Sequence, residues 1–325
     1  MTQPIPQGYK QTEIGVIPED WEVSSLESVC KEIGDGIHST PVYSLTGKFF
    51  FINGNNIDNG KITVDENTQK VDESEFLKHG KKLSDSSILL SINGTICNLA
   101  FFENEQLVLG KSAAYLTVKD KFSKYFIYYS LQTKSTKRMF EDGLTGSTIK
   151  NLGLSTIRQT IIPIPKREEQ TAIATALSDV DALISGLESL IAKKQAIKTA
   201  TMQQLLTGKT RLPQFAHHPD GTAKGYQQTE LGLIPEDWGV MNLGDLLEYE
   251  QPTKYLVSHA KFLNEGSYPV LTAGKSFVLG YTNETNGIFT DLPVIIFDDF
   301  TTDSKFVNFP RSEERRVGKE CRSRW

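Results

Sequence analysis

Three Gly-Lys-Ser/Thr stretches come nearest to a catalytic motif in this sequence: Gly110-Lys111-Ser112, Gly208-Lys209-Thr210 and Gly274-Lys275-Ser276. A phosphate-binding loop needs a further glycine five positions before the first one, so that backbone amides can surround the phosphates. At those positions the sequence has Glu105, Gln203 and Pro269. We therefore predict that the three glycines form turns or helix caps and bind no nucleotide.

Other residues that could do chemistry are scattered. Asp298-Asp299 follow a strand-like run but have no third ligand nearby, and His217-His218 lie in a polar linker beside Pro219. The three cysteines, Cys30, Cys97 and Cys321, are too few for a disulfide framework and lack metal-ligand spacing. The sequence has no GxGxxG, HExxH or GxSxG pattern and no adenine-methyltransferase pocket of the (N/D/S)PP(Y/F) type. We predict a chain that is not an enzyme, holds no metal or cofactor itself, and leaves chemistry to partners.

The charge is distributed unevenly along the 325 residues. The net charge of -5 argues, taken alone, against a nucleic-acid binder. The stretch 111–150, however, holds eight basic and three acidic residues, interleaved with aromatic ones. A solvated helix face is the simpler explanation of that stretch and the one that this evidence alone favours. Because no apolar run approaches the roughly 18 residues of a membrane helix and the N-terminus lacks signal-peptide features, we expect a cytoplasmic protein.

A long repeat organises the chain. The first motif copy (8–29, GYKQTEIGVIPEDWEVSSLESV) returns as the second motif copy (225–246, GYQQTELGLIPEDWGVMNLGDL), with 13 of 22 positions identical. A period of 217 residues is too long for a solenoid, so the chain holds two copies of a large unit. In each copy we predict a turn closed by proline, an anchoring tryptophan (Trp21 or Trp238), and a helix start with Leu26 or Leu243 facing inward.

The segments between the copies differ in pattern. Residues 24–120 alternate in short apolar runs broken by Gly and Asn, which predicts strands and hairpins. Residues 121–142 predict a helix, and residues 143–165 predict a loop, a short helix and a strand. Residues 166–208 predict one long helix that ends at Gly208 and carries a heptad seam of Ile173, Leu177, Val180, Ile184, Leu187 and Ile191. Such a seam needs a partner helix, from elsewhere in the protein or from another molecule.

The last fifteen residues, RSEERRVGKECRSRW, break every local trend. They resemble the translation of a widely used sequencing-library adapter. We therefore expect residues 311–325 to be a non-native tail, and the native sequence to be a fragment that stops near Pro310.

Several stretches together resemble the specificity (S) subunits of type I restriction–modification enzymes. The opening motif is Gly15–Trp21, and the domain signature is similar in Asp35–His38, Phe51–Ile57 and Ser91–Thr95. The exit into the long helix is similar in Gly143–Leu152, Ile162–Pro165 and Glu168–Gln170. The order of these stretches and their second opening motif make the resemblance specific over residues 8–310.

The resemblance implies an α+β fold with a β-rich target-recognition domain, a long coiled-coil-type helix and a partial second target-recognition domain. The expected parts are a first recognition domain (1–165), the spacer helix (166–210), a linker with the second motif copy (211–242), the partial second domain (243–310) and the tail (311–325). Each recognition domain would read one half of a bipartite DNA site. The family's full subunit pairs two long helices as an antiparallel coiled coil, and here the second is expected to be absent.

The resemblance also implies partners. A subunit of this kind has no catalysis of its own and recruits adenine methyltransferase (modification) subunits and a restriction (translocase and nuclease) subunit. S-adenosylmethionine, ATP and Mg²⁺ would belong to those partner subunits. Self-association through the helix 168–207 would pair its seam with a second copy of this chain.

Loops rich in Asn, Ser, Thr, His and Tyr suit DNA reading, because amide and hydroxyl groups distinguish base edges while Lys and Arg hold phosphates. We predict as base or sugar readers His38, Thr40, Tyr43, Asn53, Asn55 and Asn56. As phosphate or backbone clamps we predict Lys111, Ser147, Thr148, Lys150 and Asn151. Asn and Gly in such loops equally serve turn geometry.

Two other hypotheses stay open from the sequence. One is an interaction scaffold that binds no nucleic acid and carries two β-rich modules on a coiled-coil spacer. The other is an enzyme, for which the residues offer least support.

Overall fold

A computed structural model describes residues 5–146, 150–259, 261–272, 276–298 and 304–314. The chain divides into two compact units, Met1–Thr201 and Met202–Trp325. The predicted domain boundaries at 165, 210 and 242 remain predictions.

The described residues of the first unit form fifteen short strands. They are β1 Tyr9–Thr12, β2 Gly15–Pro18, β3 Glu22–Ser25, β4 Cys30–Asp35, β5 Phe49–Ile52, β6 Ile57–Asp58, β7 Lys61–Ile62, β8 Lys70–Val71, β9 Ser87–Ser91, β10 Leu99–Phe101, β11 Leu107–Leu109, β12 Ala113–Val118, β13 Leu144–Thr145, β14 Asn151–Leu152 and β15 Ile161–Ile164. Its helices are α1 Leu26–Val29, α2 Glu73–His79, α3 Lys124–Leu131, α4 Lys134–Asp142, α5 Leu154–Gln159 and α6 Arg167–Leu205, of which α6 runs into the second unit.

A four-stranded antiparallel sheet, ordered β10-β9-β12-β4, forms the centre of the first unit. Strands β9 and β12 are buried along their whole length, because both faces of the sheet are covered. Alternate residues point to opposite faces. Ile88 and Leu90 join the core beneath α1, α3 and α5, whereas Leu89 joins a second core with Ile52 and Leu109 from the smaller sheet β11-β5-β8.

Two expectations for the first unit need correction. The region 24–120 was expected to hold strands and hairpins after the helix start at Leu26, which α1 confirms, but it also contains the helix α2. The predicted helix over 121–142 is two helices, α3 and α4. The break lies where the Thr133 side chain accepts the backbone N–H of Thr136, because such an N-cap starts a new helix.

The long helix α6 packs against the rest of the first unit only along its first turns. Gln170 is buried there; its Oε1 accepts the Ser123 N–H and its Nε2 donates to the Pro165 carbonyl, both at 2.9 Å. The Tyr129 hydroxyl lies 2.8 Å from Asp181 Oδ2. The predicted long helix is confirmed, and Gly208 follows its end with a φ of 70°.

The second unit is built from short hairpins. Its elements are β16 Tyr226–Thr229, β17 Gly232–Pro235, α7 Leu243–Leu246, β18 Tyr268–Leu271, β19 Val278–Thr282, β20 Val294–Phe297, β21 Ser304–Val307 and β22 Ser312–Glu313. Strand β22 pairs in parallel with β18, and Arg311 beside it is buried over the Phe289 ring. These residues begin the predicted non-native tail, whose origin stays a prediction.

The predicted α+β class, with a β-rich domain followed by a long helix, is confirmed by this architecture. Among the described residues, no helix is long and apolar enough to cross a membrane.

Candidate nucleic-acid interface

One end of the central sheet gathers the loops that carry the predicted signature. In the antiparallel register Ala114 pairs with Asp35 and Ala113 pairs with Ser91. The end of β4, the end of β9 and the start of β12 therefore lie at the same edge. Loops that continue from these points must emerge side by side, which is how separate stretches of sequence form one surface.

Ser112 holds these loops together. Its Oγ accepts the Gly54 N–H and donates to Asn53 Oδ1, both at 2.9 Å. Its carbonyl accepts the Ile92 N–H at 2.9 Å. One residue thus joins the loop after β5 to the loop after β9. We call the resulting surface, residues 36–43, 53–56, 92–97, 110–112 and 150–151, the loop face.

The loop after β4 is also fixed in place, by hydrogen bonds to residues close to Ser112 in the chain. The Gly36 N–H donates to the Ala113 carbonyl and the Ile37 N–H donates to the Leu109 carbonyl. A Cβ at Gly36 would lie 2.2 Å from the Leu109 carbonyl oxygen, so only glycine fits this approach. His38, the next residue along, is exposed, and its Nε2 lies 2.8 Å from Asp35 Oδ2.

The predicted readers after β5 divide into two kinds. Asn56 Oδ1 accepts the Asn53 N–H, and Asn56 Nδ2 donates to the Thr63 carbonyl, both at 3.0 Å. With the Ser112 contact, Asn53 and Asn56 therefore shape the loop from within. Asn55 between them is exposed. The side chain that the fold offers to a ligand is that of Asn55.

The remaining predicted residues lie around this centre. Asn151 bridges Asn93 in an antiparallel pair, which places exposed Lys150 beside the loop after β9. Lys111 is exposed next to Ser112. Thr40 is exposed, and Tyr43 packs edge-on against Phe51 with 5.6 Å between ring centroids. Ser147 and Thr148 lie outside the described residues.

The basic stretch 111–150 contributes to the loop face at its two ends. Inside the stretch, Lys119 donates to the Ser28 carbonyl and Lys124 to the Asp85 carbonyl. These two lysines serve packing within the unit, in line with the simpler explanation of the stretch.

Ser112 was missed in the sequence as a structural hub. Its Gly-Lys-Ser stretch was predicted to be a turn, and the Ala113 N–H, which donates to the Gly110 carbonyl at 3.0 Å, confirms that turn. The signal that could have identified Ser112 is its position, a small hydroxyl directly before the apolar strand AAYLTV. Its partners come from 20 to 60 positions upstream, so local pattern alone does not identify them.

The residues considered for chemistry elsewhere have ordinary surroundings. Burial raises the pKa of Cys30 to about 12, so it is a neutral thiol at physiological pH. Burial also raises the pKa of Cys97. His218 Nε2 lies 2.8 Å from Glu236 Oε1. Asp298 is buried, whereas Asp299 lies outside the described residues.

The helix seam is largely open within the first unit. Ile173 packs against the unit's core. The other predicted seam residues are exposed: Leu177, Val180, Ile184, Leu187 and Ile191. An apolar stripe of this length on one helix is typical of an interface.

A family model described as the type I restriction modification DNA specificity domain matches residues 18–199, more than half of the chain. The chain belongs to this family. The match contains every element of the loop face and most of α6. It confirms the predicted class, a specificity subunit rather than an enzyme.

Individual specificity subunits are similar to different extents. One from an Escherichia coli type I restriction enzyme is 51% identical over 86 residues, which is 26% of this chain and 21% of that protein. One from Methanocaldococcus jannaschii is 26% identical over 310 residues, 94% of this chain and 69% of that protein. The crystal structure of the S subunit of a type I restriction–modification system from M. genitalium has a TM-score of 0.50 at 18% identity, covering 90% of this chain and 70% of that one. That likeness shows the fold.

Proposed function

We propose that the chain is the DNA-recognition subunit that directs a type I restriction–modification complex to a bipartite site, without catalysis of its own. Adenine methyltransferase subunits and a restriction subunit are its proposed protein partners. S-adenosylmethionine, ATP and Mg²⁺ would act in those partners. Such a complex would work on cytoplasmic DNA.

The observation that carries this proposal is the convergence of the signature loops on Ser112 and its chain neighbours Leu109 and Ala113, within the part of the chain that belongs to the specificity family. A reader of base edges needs polar side chains held on a rigid frame. The sheet beneath the loop face is buried on both sides, and the hub bonds fix the loops upon it.

We propose different roles for the predicted residues. His38, Thr40, Tyr43 and Asn55, which are exposed, would be base or sugar readers. Phosphate or backbone clamps would be Lys111, Ser147, Thr148, Lys150 and Asn151. Asn53 and Asn56, whose side chains bond internally, act by holding Asn55 in place.

The open seam on α6 supports the proposed helix partner. Exposed apolar side chains continue along it at Leu183, Leu190 and Ile197. Covering such a stripe removes apolar surface from water, which drives association. A second copy of this chain, or the matching helix of a full-length subunit, would bury it.

Methylation mapping tests the proposal. The chain is co-expressed with the methyltransferase encoded next to it, and long-read sequencing locates methylated adenines. We expect a new bipartite motif that is absent from cells with the methyltransferase alone. If a version of the chain extended to the length of its relatives also yields no new motif, the proposed function is wrong.

The two clamps have a more local test. We expect Lys111→Ala and Lys150→Ala each to weaken binding to all duplexes and to flatten the salt dependence of log K by about one unit, because each lysine releases one phosphate counterion. Lys198→Ala, on α6 away from the loop face, is the matched control and should leave the slope unchanged. Altered sequence choice at an unchanged slope would contradict the phosphate role.

A further inference from the structure

A polar cavity of about 240 Å³ opens beside the loop face. One wall is the loop after β5 and the other is the turn between β7 and β8, and Phe51 also lines it. Its polar lining includes Asn55, Thr63, Asp65, Asn67 and Gln69. No predicted reader comes from the second wall.

Two side-chain amides in this lining are unengaged. In the part of the chain that the structure describes, the carboxamides of Asn55 and Asn67 make no hydrogen bond, whereas those of Asn53 and Asn56 are bonded internally. Each free amide brings one acceptor and two donors.

Both free amides stand on turns that are already fixed. Asn55 lies between Asn53 and Asn56, whose bonds hold the loop. Asn67 lies in a turn where Asp65 Oδ1 accepts the Asn67 N–H at 2.9 Å and the Thr68 hydroxyl at 3.0 Å. Because these turns are already ordered, a ligand would bind with little loss of backbone entropy, which favours selective recognition.

The charge of the lining excludes a phosphate. Neither lysine nor arginine lines the cavity, and Asp65 places a carboxylate in it. Phosphate oxygens would be repelled there, whereas an uncharged edge that offers a donor would be accepted.

We propose that this cavity takes the major-groove edge of an adenine in the half-site, with Asn55 and Asn67 as its specificity-determining residues. Adenine offers N6–H as donor and N7 as acceptor, so the Asn55 carboxamide would donate to N7 and the Asn67 carboxamide would accept N6–H. Guanine offers two acceptors and no donor on this edge, so it meets the Asp65 carboxylate unfavourably, whereas adenine presents a donor to it. The inference rests on the proposed function and deepens it by naming the base and adding Asn67.

Selection from randomised duplex DNA by the full chain tests this inference. We expect wild type to enrich a motif that contains a fixed adenine. Asn55→Ala and Asn67→Ala should relax that position and leave the other positions and the salt slope unchanged. Gln159→Ala, an exposed amide at the end of α5, is the matched control and should select the wild-type motif.

A base analogue sharpens the test. Replacing the fixed adenine with 7-deazaadenine removes the N7 acceptor and should weaken wild-type binding by about tenfold. The same replacement should leave the affinity of Asn55→Ala unchanged, because the bond is already lost. Thermal unfolding of each variant checks that the unit is intact.

The outcomes distinguish failure of the cavity inference from failure of the proposed function. If wild type selects a motif and both alanine variants select the same one, the cavity inference is wrong and the proposed function stands. If folded variants bind every duplex more weakly without a change of sequence choice, the amides contact the backbone and the inference is also wrong. If wild type selects no motif, the proposed function fails and the inference fails with it.

Discussion

The two motif copies fold into the same hairpin and then differ. In the first copy Tyr9 pairs with Pro18, and in the second Tyr226 pairs with Pro235, in identical register. The hairpin is therefore encoded locally, by residues that both copies share. The packing of the residues after the hairpin depends on distant parts of the chain.

The helix after the hairpin shows the difference in burial. Leu26 in α1 is fully buried, because β15 and α5 pack beside it. Its counterpart Leu243 in α7 is 73% exposed. The prediction that both leucines face inward is confirmed for Leu26 and wrong for Leu243, since a leucine is buried only where other elements supply a wall.

The charged and aromatic residues of the two copies also contact different partners. Trp21 Nε1 donates to Glu169 Oε2 near the start of α6. Asp237 instead binds Arg211 and Lys224, and Pro235 lies against Gly208 just after the end of α6. The first copy thus contacts a residue near the start of α6, and the second contacts Gly208, which follows α6 in the chain. One motif is used twice as a helix-end anchor, with different atoms.

The largest expected effect separates the two leucines. Leu26→Ala should lower the free energy of unfolding of the first unit by about 2–5 kcal/mol, because it leaves a cavity in a closed core. Leu243→Ala, the matched control, should change stability by less than about 0.5 kcal/mol. Urea unfolding of the full chain measures both. Equal losses would show that the second copy is buried as well.

Gly208, just after α6, and Gly186, within it, should respond in opposite directions to substitution by alanine. Gly208→Ala should destabilise the second unit by at least about 1 kcal/mol, since its φ is positive and a Cβ would lie 2.4 Å from the Pro235 ring. Gly186→Ala, within α6 with open space around it, should stabilise the helix by about 0.5–1 kcal/mol. Thermal unfolding measures both shifts, and a tolerated Gly208→Ala would argue against the anchor at the helix end.

The smallest expected effect is on the stability of the second unit at acidic pH. Hydrogen bonds from Arg211 and Lys224 hold the pKa of Asp237 well below its usual value of about 3.9. The carboxylate therefore stabilises the second unit above about pH 4, and this contribution is lost as the pH falls through the lower, folded pKa. Asp237→Asn should remove it at neutral pH and flatten the acid side of the stability curve. Asp20→Asn, at the matching position of the first copy, should leave the curve as in wild type.

Sequence patterns predicted the parts of the fold that depend on residues close together in the chain. The heptad spacing and Gly208 predicted a helix over 166–208, close to the observed bounds of α6. The signature stretches predicted which loops form the loop face. The parallel pairing of β11 with β5 and the hub bonds of Ser112 were not predictable, because they join distant residues. The same limit explains why Asn53 and Asn56 were predicted as readers: an internal bond cannot be distinguished from a free amide before its partner is placed.

Hydrogen exchange with and without DNA tests the central claim, that the loop face of the first unit binds DNA. The full chain is incubated with a duplex that carries its methylation motif, and amide exchange is followed by mass spectrometry. We expect slower exchange in peptides covering 36–43, 53–56, 92–97 and 110–112, and little change in the exposed part of α6 from 182 to 200. Unchanged exchange in all four loops, with protection elsewhere in the chain, would contradict the account.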